Sequence, residues 1–283
     1  KSFNKNYTEL FKDTAGTGDF EHLTPYSAGG FTVSYASFTS LFSKSSSGAV
    51  SSTFKNFSDY RQIISNRLAA LNPYASTAST SDGFAAGYGR YAQNVLIPAF
   101  LAAYTGKSPD KIGLVQESNP SIKSNPLGDI MPKPNWNITY SGLNRVGNLS
   151  NIFSSITLTN AYSGSLAMNS FTTALNFQDP LMRGQPAFID SVSGNYVPYF
   201  LIPNITISES FEPLVGVNVT MVNQSNFQFQ YIKSKTLSLS LIDYQVSESD
   251  QTSYQLGFNL VKHNVNLPFV PKPKLKKGQP KGV

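Results

Sequence analysis

Between Pro213 and Lys262 apolar and polar residues alternate with a period of two. From Phe227 the odd positions read Phe227, Phe229, Tyr231, Lys233, Lys235, Leu237, Leu239 and Leu241. The even positions read Gln228, Gln230, Ile232, Ser234, Thr236, Ser238 and Ser240. Successive side chains of a strand point to opposite faces, so the pattern predicts a strand with one largely apolar and one polar face. Before it, Val215, Val217, Val219 and Met221 alternate with Gly216, Asn218 and Thr220. After it, Tyr254, Leu256, Phe258 and Leu260 alternate with Ser253, Gln255, Gly257 and Asn259. Polar residues 223–226 and 247–250 read as the two turns of an antiparallel meander. The middle strand, Phe227 to about Val246, contains neither Pro nor Gly. It is about twenty residues long, against a usual five or six.

Two environments produce such a sheet. In a soluble domain the apolar face lies on a core and the polar face in water. In a transmembrane barrel the apolar face meets lipid and the polar face the lumen. On the second reading the lipid-facing candidates are Val215, Val217, Val219, Phe227, Phe229, Tyr231, Leu237, Leu239, Leu241, Tyr254, Leu256, Phe258 and Leu260. The lumen-facing candidates are Asn218, Thr220, Gln228, Gln230, Ser238, Ser240, Gln255 and Asn259. Lys233 and Lys235 stand on the apolar phase. A Lys at the bilayer midplane costs about 2–4 kcal/mol, so the pair must lie near an interface or mark a break.

Upstream, residues 1–30 read as loop. Phe31, Val33 and Tyr35 alternate, while Phe38, Leu41 and Phe42 fit a helical stripe, so strand and helix are both open there. The Ser/Gly-rich residues 43–52 read as a further loop. A helix is expected near 58–72, capped by Ser58 and carrying the stripe Tyr60, Ile63, Ile64, Leu68 and Leu71. A second is expected near 84–105, kinked at Pro98 and ended by Gly106. Gly87 and Gly89 with Ala85, Ala86 and Ala92 suit close approach of another backbone. The helix pair reads either as a packed hairpin or as a cap over a channel. Five prolines mark residues 107–134 as a long connection, and Trp136, Ile138 and Tyr140 open a strand. Ile156, Leu158, Tyr162, Leu166 and Met168 share even phase. The phase then flips to Phe171, Thr173, Leu175 and Phe177, which a β-bulge after Asn169 would produce. A hairpin break near Gly164 is the alternative.

The connections carry a sidedness argument. Outer-membrane barrels have short periplasmic turns and long exterior loops. With 223–226 in the periplasm, 142–150 falls on the same side. The long connections, 178–198 and the helical region before Pro134, fall outside. The expected division is then an exterior cap region at 1–134, barrel strands at 135–263 and a Lys/Pro-rich linker at 264–283.

Several stretches resemble the SprA/Sov family, the outer-membrane translocon of the type IX secretion system. They are residues 54–73 (FKNFSDYRQIISNRLAALNP), 82–114 (DGFAAGYGRYAQNVLIPAFLAAYTGKSPDKIGL) and 125–143 (NPLGDIMPKPNWNITYSGL). MNSFTTALNFQDPL, SGNYVPYFLIPNITISESFEPLVG and the meander itself belong with them. The likeness spans most of the chain in order. It implies a mainly β fold: an antiparallel meander forming part of a very large transmembrane β-barrel, with a two-helix insertion in an exterior loop. It also implies a location in the outer membrane of a Gram-negative Bacteroidota cell, a role in protein export and gliding motility, and no enzymatic activity. The implied partners are membrane lipid, a PorV-type outer-membrane barrel, a periplasmic plug protein and secreted cargo with a C-terminal sorting domain.

Composition adds limits. Charged residues make up 13% of the 283 positions, about half the soluble average of ~25%. Aromatics are also 13%, chiefly Phe and Tyr. Few charges and many neutral polar residues fit a barrel with a wet interior and equally fit a secreted β protein. With no Cys there is no disulfide or thiolate metal site. The net charge of +6 gathers in the Lys-rich end, where Pro and Gly point to a solvated linker; nucleic acid is not expected. His22 and His263 lack ligand spacing, and the carboxylates Asp179, Asp190, Glu209, Glu212, Asp243, Glu248 and Asp250 are scattered, so no catalytic, metal or cofactor site is expected. No apolar run reaches the ~18 residues of a membrane helix. Both ends read as cut, so a section of a longer chain is expected. The competing readings are another outer-membrane barrel, such as a receptor or porin, and a secreted β-rich binding domain.

Overall fold

The computed structural model describes residues 2–9, 11–13, 16–22, 26–38, 41–42, 50–76, 78–114 and 131–262. The elements are β1 (Ser2–Thr8), β2 (Phe11–Lys12), β3 (Glu21–His22), β4 (Tyr26–Ser34), α1 (Ser52–Leu71), α2 (Gln93–Thr105), β5 (Trp136–Tyr140), β6 (Phe153–Thr173), β7 (Phe200–Leu201), β8 (Asn204–Met221), β9 (Asn226–Ser240) and β10 (Gln245–Asn259). One antiparallel sheet runs β1-β4-β6-β8-β9-β10, with β5 and β7 also pairing with β6; β2 and β3 form a separate ribbon. The sheet is open. β4 and β5 lie end to end along β6, at Ser165–Thr172 and Leu158–Tyr162 respectively.

The meander is present, as β8, β9 and β10, but its second turn is elsewhere. The chain turns at 241–244, where the Asp243 N–H donates to Ser240 Oγ and Tyr244 takes a left-handed φ of 53°. Residues 247–250 instead lie inside β10, opposite Ser238–Lys235. The Ser/Glu/Asp composition that marks a turn is accommodated in a strand here because Glu248 and Asp250 face Lys235 and Lys233 of β9. β9 is accordingly 15 residues long rather than about twenty.

β6 runs unbroken for 21 residues, which removes the hairpin at Gly164. The bulge is present: Phe31 pairs with Met168 and Gly29 with Phe171, so β6 carries one extra residue at the expected place. Met168 and Phe171 thereby both enter the core. Gly164 is small because the chain leaving β4 passes over it. The Tyr35 N–H donates to Gly164 O at 2.9 Å, and a Cβ on residue 164 would sit 2.0 Å from Tyr35 O.

Other expectations are corrected. Residues 1–30 contain strands, and β1 and β4 belong to the main sheet, so the 1–134 region is not a separate cap. Residues 26–34 are strand and 35–38 leave it without helix. Residues 43–49 of the expected Ser/Gly loop, 115–130 of the long connection, His263 and the Lys-rich linker lie outside the described residues. α1 starts at Ser52, with Ser51 Oγ accepting from the Phe54 N–H. Its buried face is Phe57, Ile64, Ser65 and Leu68, while Ile63 and Leu71 are exposed. Residues 84–92 are irregular and α2 begins only at Gln93. Gly87 has φ +81°, outside helical space, and the Tyr196 ring lies where its side chain would go. α2 continues through Pro98 and ends at Gly106 in the left-handed conformation.

α2 is buried along Asn94–Tyr104, the signature of a helix enclosed on all sides. It lies between α1 and one end of the sheet, on Phe31, Val33, Leu166, Met168, Phe171, Ile205, Ile207, Leu237 and Leu239. The helices therefore cover about half the length of one sheet face.

Candidate membrane-facing surface

Register aligns the apolar face of β8, β9 and β10 into three zones. At the helix end, Ile205 pairs with Leu239 and Ile207 with Leu237. Leu237 and Leu239, two of the lipid-facing candidates, are each 1% exposed, sealed beneath the helical layer. Leu241 is half-buried against the same core. These three are corrected: their surface is already taken by protein, because the helical segment folds back onto the strands.

Next comes a belt of charge. Glu209 pairs with Lys235 in register and Asp250 with Lys235 on the other side. Lys233 Nζ stands 3.0 Å from Asp250 Oδ1 and Lys235 Nζ 3.8 Å from Glu248 Oε2. Neither Lys breaks the strand. Glu248 Oε1 also accepts from Ser51 Oγ at 3.0 Å and Tyr104 Oη at 2.6 Å, tying both helices to β10. Burial, together with donation to Glu248, pushes the Tyr104 hydroxyl well above the usual phenol range. Glu209, 2% exposed, accepts from the Ser37 and Phe38 N–H groups at 2.7 and 3.2 Å and from Tyr162 Oη at 2.6 Å. Buried carboxylates require such partners. Trp136 stacks on Tyr162 at 4.6 Å, with Phe211 beside them.

Beyond the belt the face is apolar and uncovered among the described residues. Val215 pairs with Tyr231, Val217 with Phe229 and Val219 with Phe227; β10 adds Tyr254, Leu256 and Phe258 opposite the same three aromatic residues. Tyr254, Leu256 and Phe258 are 69%, 62% and 67% exposed, and Val215 and Leu260 are exposed too. Val217, Val219, Phe227, Phe229 and Tyr231 are half-buried by neighbours in the sheet. Tyr231 stacks on Tyr254 at 4.9 Å, and Phe227 tilts against Phe258 at 5.3 Å. From Tyr254 to Leu260 the band rises roughly 20 Å along the strand, or about 15 Å along the normal at a ~40° tilt. Outer-membrane barrels present about 25 Å, so the ion pairs would stand in the interface itself.

The opposite face carries all eight lumen-facing candidates. Asn218, Gln228, Gln255 and Asn259 are exposed; Thr220, Gln230, Ser238 and Ser240 are half-buried within the sheet. Asn226 Nδ2 donates to Asn218 Oδ1 at 2.7 Å, and Thr206 and Ser208 lie 3.5 Å from Ser238 and Thr236.

The 142–150 and 222–225 connections lie together, the Val222 N–H donating to Ile152 O, and the helices and the 241–244 turn lie at the other end. Asp179 and Asp190 organise turns in the 178–198 loop, while Asp243 accepts from Ser240 Oγ and Glu212 from Ser210 Oγ. Among the described residues no acidic or histidine cluster has the form of a metal site. No helix is long and apolar enough to cross a membrane, which does not bear on crossing by strands.

The belt was missed in the sequence. Its signal was present: Glu209 follows Ile205 and Ile207 on the apolar phase, as Lys233 and Lys235 precede Leu237 and Leu239. Opposite charges on the apolar phase of neighbouring strands point to mutual pairing. No protein-family model and no curated protein matches the chain.

Proposed function

We propose that this chain is a section of the wall of an outer-membrane β-barrel that conducts proteins to the cell surface, as in type IX secretion. The observation that carries the barrel reading is the uncovered band of Val, Phe, Tyr and Leu across β8–β10, backed by a continuous hydroxyl and amide face. Exposed apolar patches of this extent mark membrane or protein contacts. Among the described residues β10 also ends the sheet with an unpaired 15-residue edge, a template for a further strand. The protein-export reading, and with it the PorV-type barrel, the plug protein and the sorting-domain cargo, rests on the family resemblance. The sealed Leu237 and Leu239 favour a second reading, a secreted β-rich binding domain whose band docks on protein.

Site-directed spin labelling separates these readings, since the chain has no native Cys. In phosphatidylcholine vesicles, nitroxides at 254, 256 and 258 should collide with oxygen more than with a nickel chelate. Those at 253, 255 and 259 should do the reverse. Equal chelate access on both faces would end the barrel reading.

A further inference from the structure

The polar face has a property that a lumen does not require. Among the described residues, Glu212 is the one ionisable side chain on that face of β6, β8, β9 and β10; the remainder is Ser, Thr, Asn, Gln, Gly, Ala and a few apolar residues. The charges these strands carry elsewhere, Glu209, Lys233, Lys235, Glu248 and Asp250, all stand on the apolar face, most of them in the belt pairs. Glu212 itself accepts from Ser210 Oγ at 2.7 Å, beside the break in β8–β9 register.

Pores select by sign through rings of charged side chains, and clefts of one sign concentrate counter-charged solutes. Protein surfaces adhere through buried Trp, Tyr and Arg anchors. This face offers neither. We propose that it is a charge-neutral, non-adhesive wall, indifferent to the net charge of a hydrophilic passenger. The proposal rests on the barrel reading for its passengers, but the neutrality belongs to the face itself.

The test reads local potential directly. A single cysteine at Gln255 or Ser249, both exposed on β10, is modified with a cationic and an anionic methanethiosulfonate reagent of similar size. Rates are normalised to those of a free thiol. The expected cation-to-anion ratio is within about twofold of one at both sites. Gln230→Lys, directly opposite Gln255 in register, should lower the ratio at 255 several-fold. A wild-type preference of tenfold or more in either direction would overturn the proposal, as would a ratio at 255 indifferent to Gln230→Lys. Neither outcome depends on a membrane, so failure here is distinct from failure of the spin-label alternation, which removes the barrel instead.

Discussion

Leu256 and Leu239 stand on the same face of adjacent strands and should respond to a charge in opposite ways. Leu256 is 62% exposed, midway along the apolar band and opposite Phe229; Leu239 is 1% exposed beneath α2. In lipid, Lys at position 256 should cost about 2–3 kcal/mol, the near-midplane range for a barrel surface. That is roughly a 30- to 150-fold loss in the folding equilibrium. In water the same exposed substitution should stay within about 0.5 kcal/mol. Leu239→Lys should be severe in either medium, because it removes packing and buries an unpaired charge. Gln255→Lys, on the other face, should stay within about 0.5 kcal/mol in both.

Urea titration of the intact protein in phosphatidylcholine vesicles measures these differences. Trp136, the single tryptophan, is a convenient probe because it stacks on Tyr162 in the middle of the sheet. The reasoning fails if Leu256→Lys is as harmless as Gln255→Lys in vesicles. It fails also if the wild-type chain is folded and monomeric without any amphiphile, since the band would then not need lipid.

Further predictions concern the scaffold. Leu237→Ala should destabilise by about 2–5 kcal/mol in chemical denaturation, the cost of a cavity beneath the helices. Tyr162→Phe should cost about 1.5–3 kcal/mol, the value of a hydrogen bond to a charged acceptor, and should shift Trp136 emission. Gly164→Ala should be worse than an ordinary strand substitution, since its Cβ would strike the backbone of residue 35; a melting temperature equal to wild type would refute that placement. Asp179 gives a pH prediction. Burial works to raise its pKa, but Tyr74 and the N–H groups of Arg183, Gly184 and Gln185 outweigh it and hold the carboxyl below the usual range. Its contribution is full above the unfolded pKa of about 3.9 and is lost as pH falls through the lower folded value. Hydrogen-exchange protection of the Arg183 and Gly184 amides should therefore vanish at strongly acidic pH in wild type and be weak at every pH in Asp179→Asn.

What could be read in advance followed from which constraints are local. The two-faced alternation of β8, β9 and β10 depends only on the pleat, and the flip after Asn169 on one extra residue; both were legible. β1 was not, because Ser-Phe-Asn-Lys-Asn-Tyr-Thr is polar on most positions and its strand state comes from pairing with β4. Residues 84–92 have helical composition, but Gly87 is held at positive φ with the Tyr196 ring against it, and that contact comes from a loop more than a hundred residues away. The turn assigned to 247–250 failed for a similar reason: the partners that keep those acids in a strand lie on β9. The candidate surface was half legible. Which residues share a face was readable; which part of that face an insertion covers was not.

On the barrel reading, the belt explains how one face can serve two surroundings. A strand that passes from a protein core into lipid crosses an interface, and there its side chains on the apolar phase must be polar. Single charges would be costly beside either neighbour, so each is set against a counter-charge on the adjoining strand. Three carboxylates and two ammonium groups leave the belt near neutral, and the carboxylate in excess is useful. Glu209 takes the Ser37 and Phe38 amides, and Glu248 the hydroxyls of Ser51 and Tyr104. The acids thereby anchor the covering segments at the edge of the helical layer. On this argument Glu248→Gln should loosen α1 and α2 from β10 while leaving the band residues unchanged. Hydrogen exchange would show it as faster opening at the N-terminus of α1 and the C-terminus of α2, with the amides of β8 and β9 below the belt unaffected. Uniform loosening of the whole sheet would mean instead that the belt is an ordinary part of one core, with no boundary at that level.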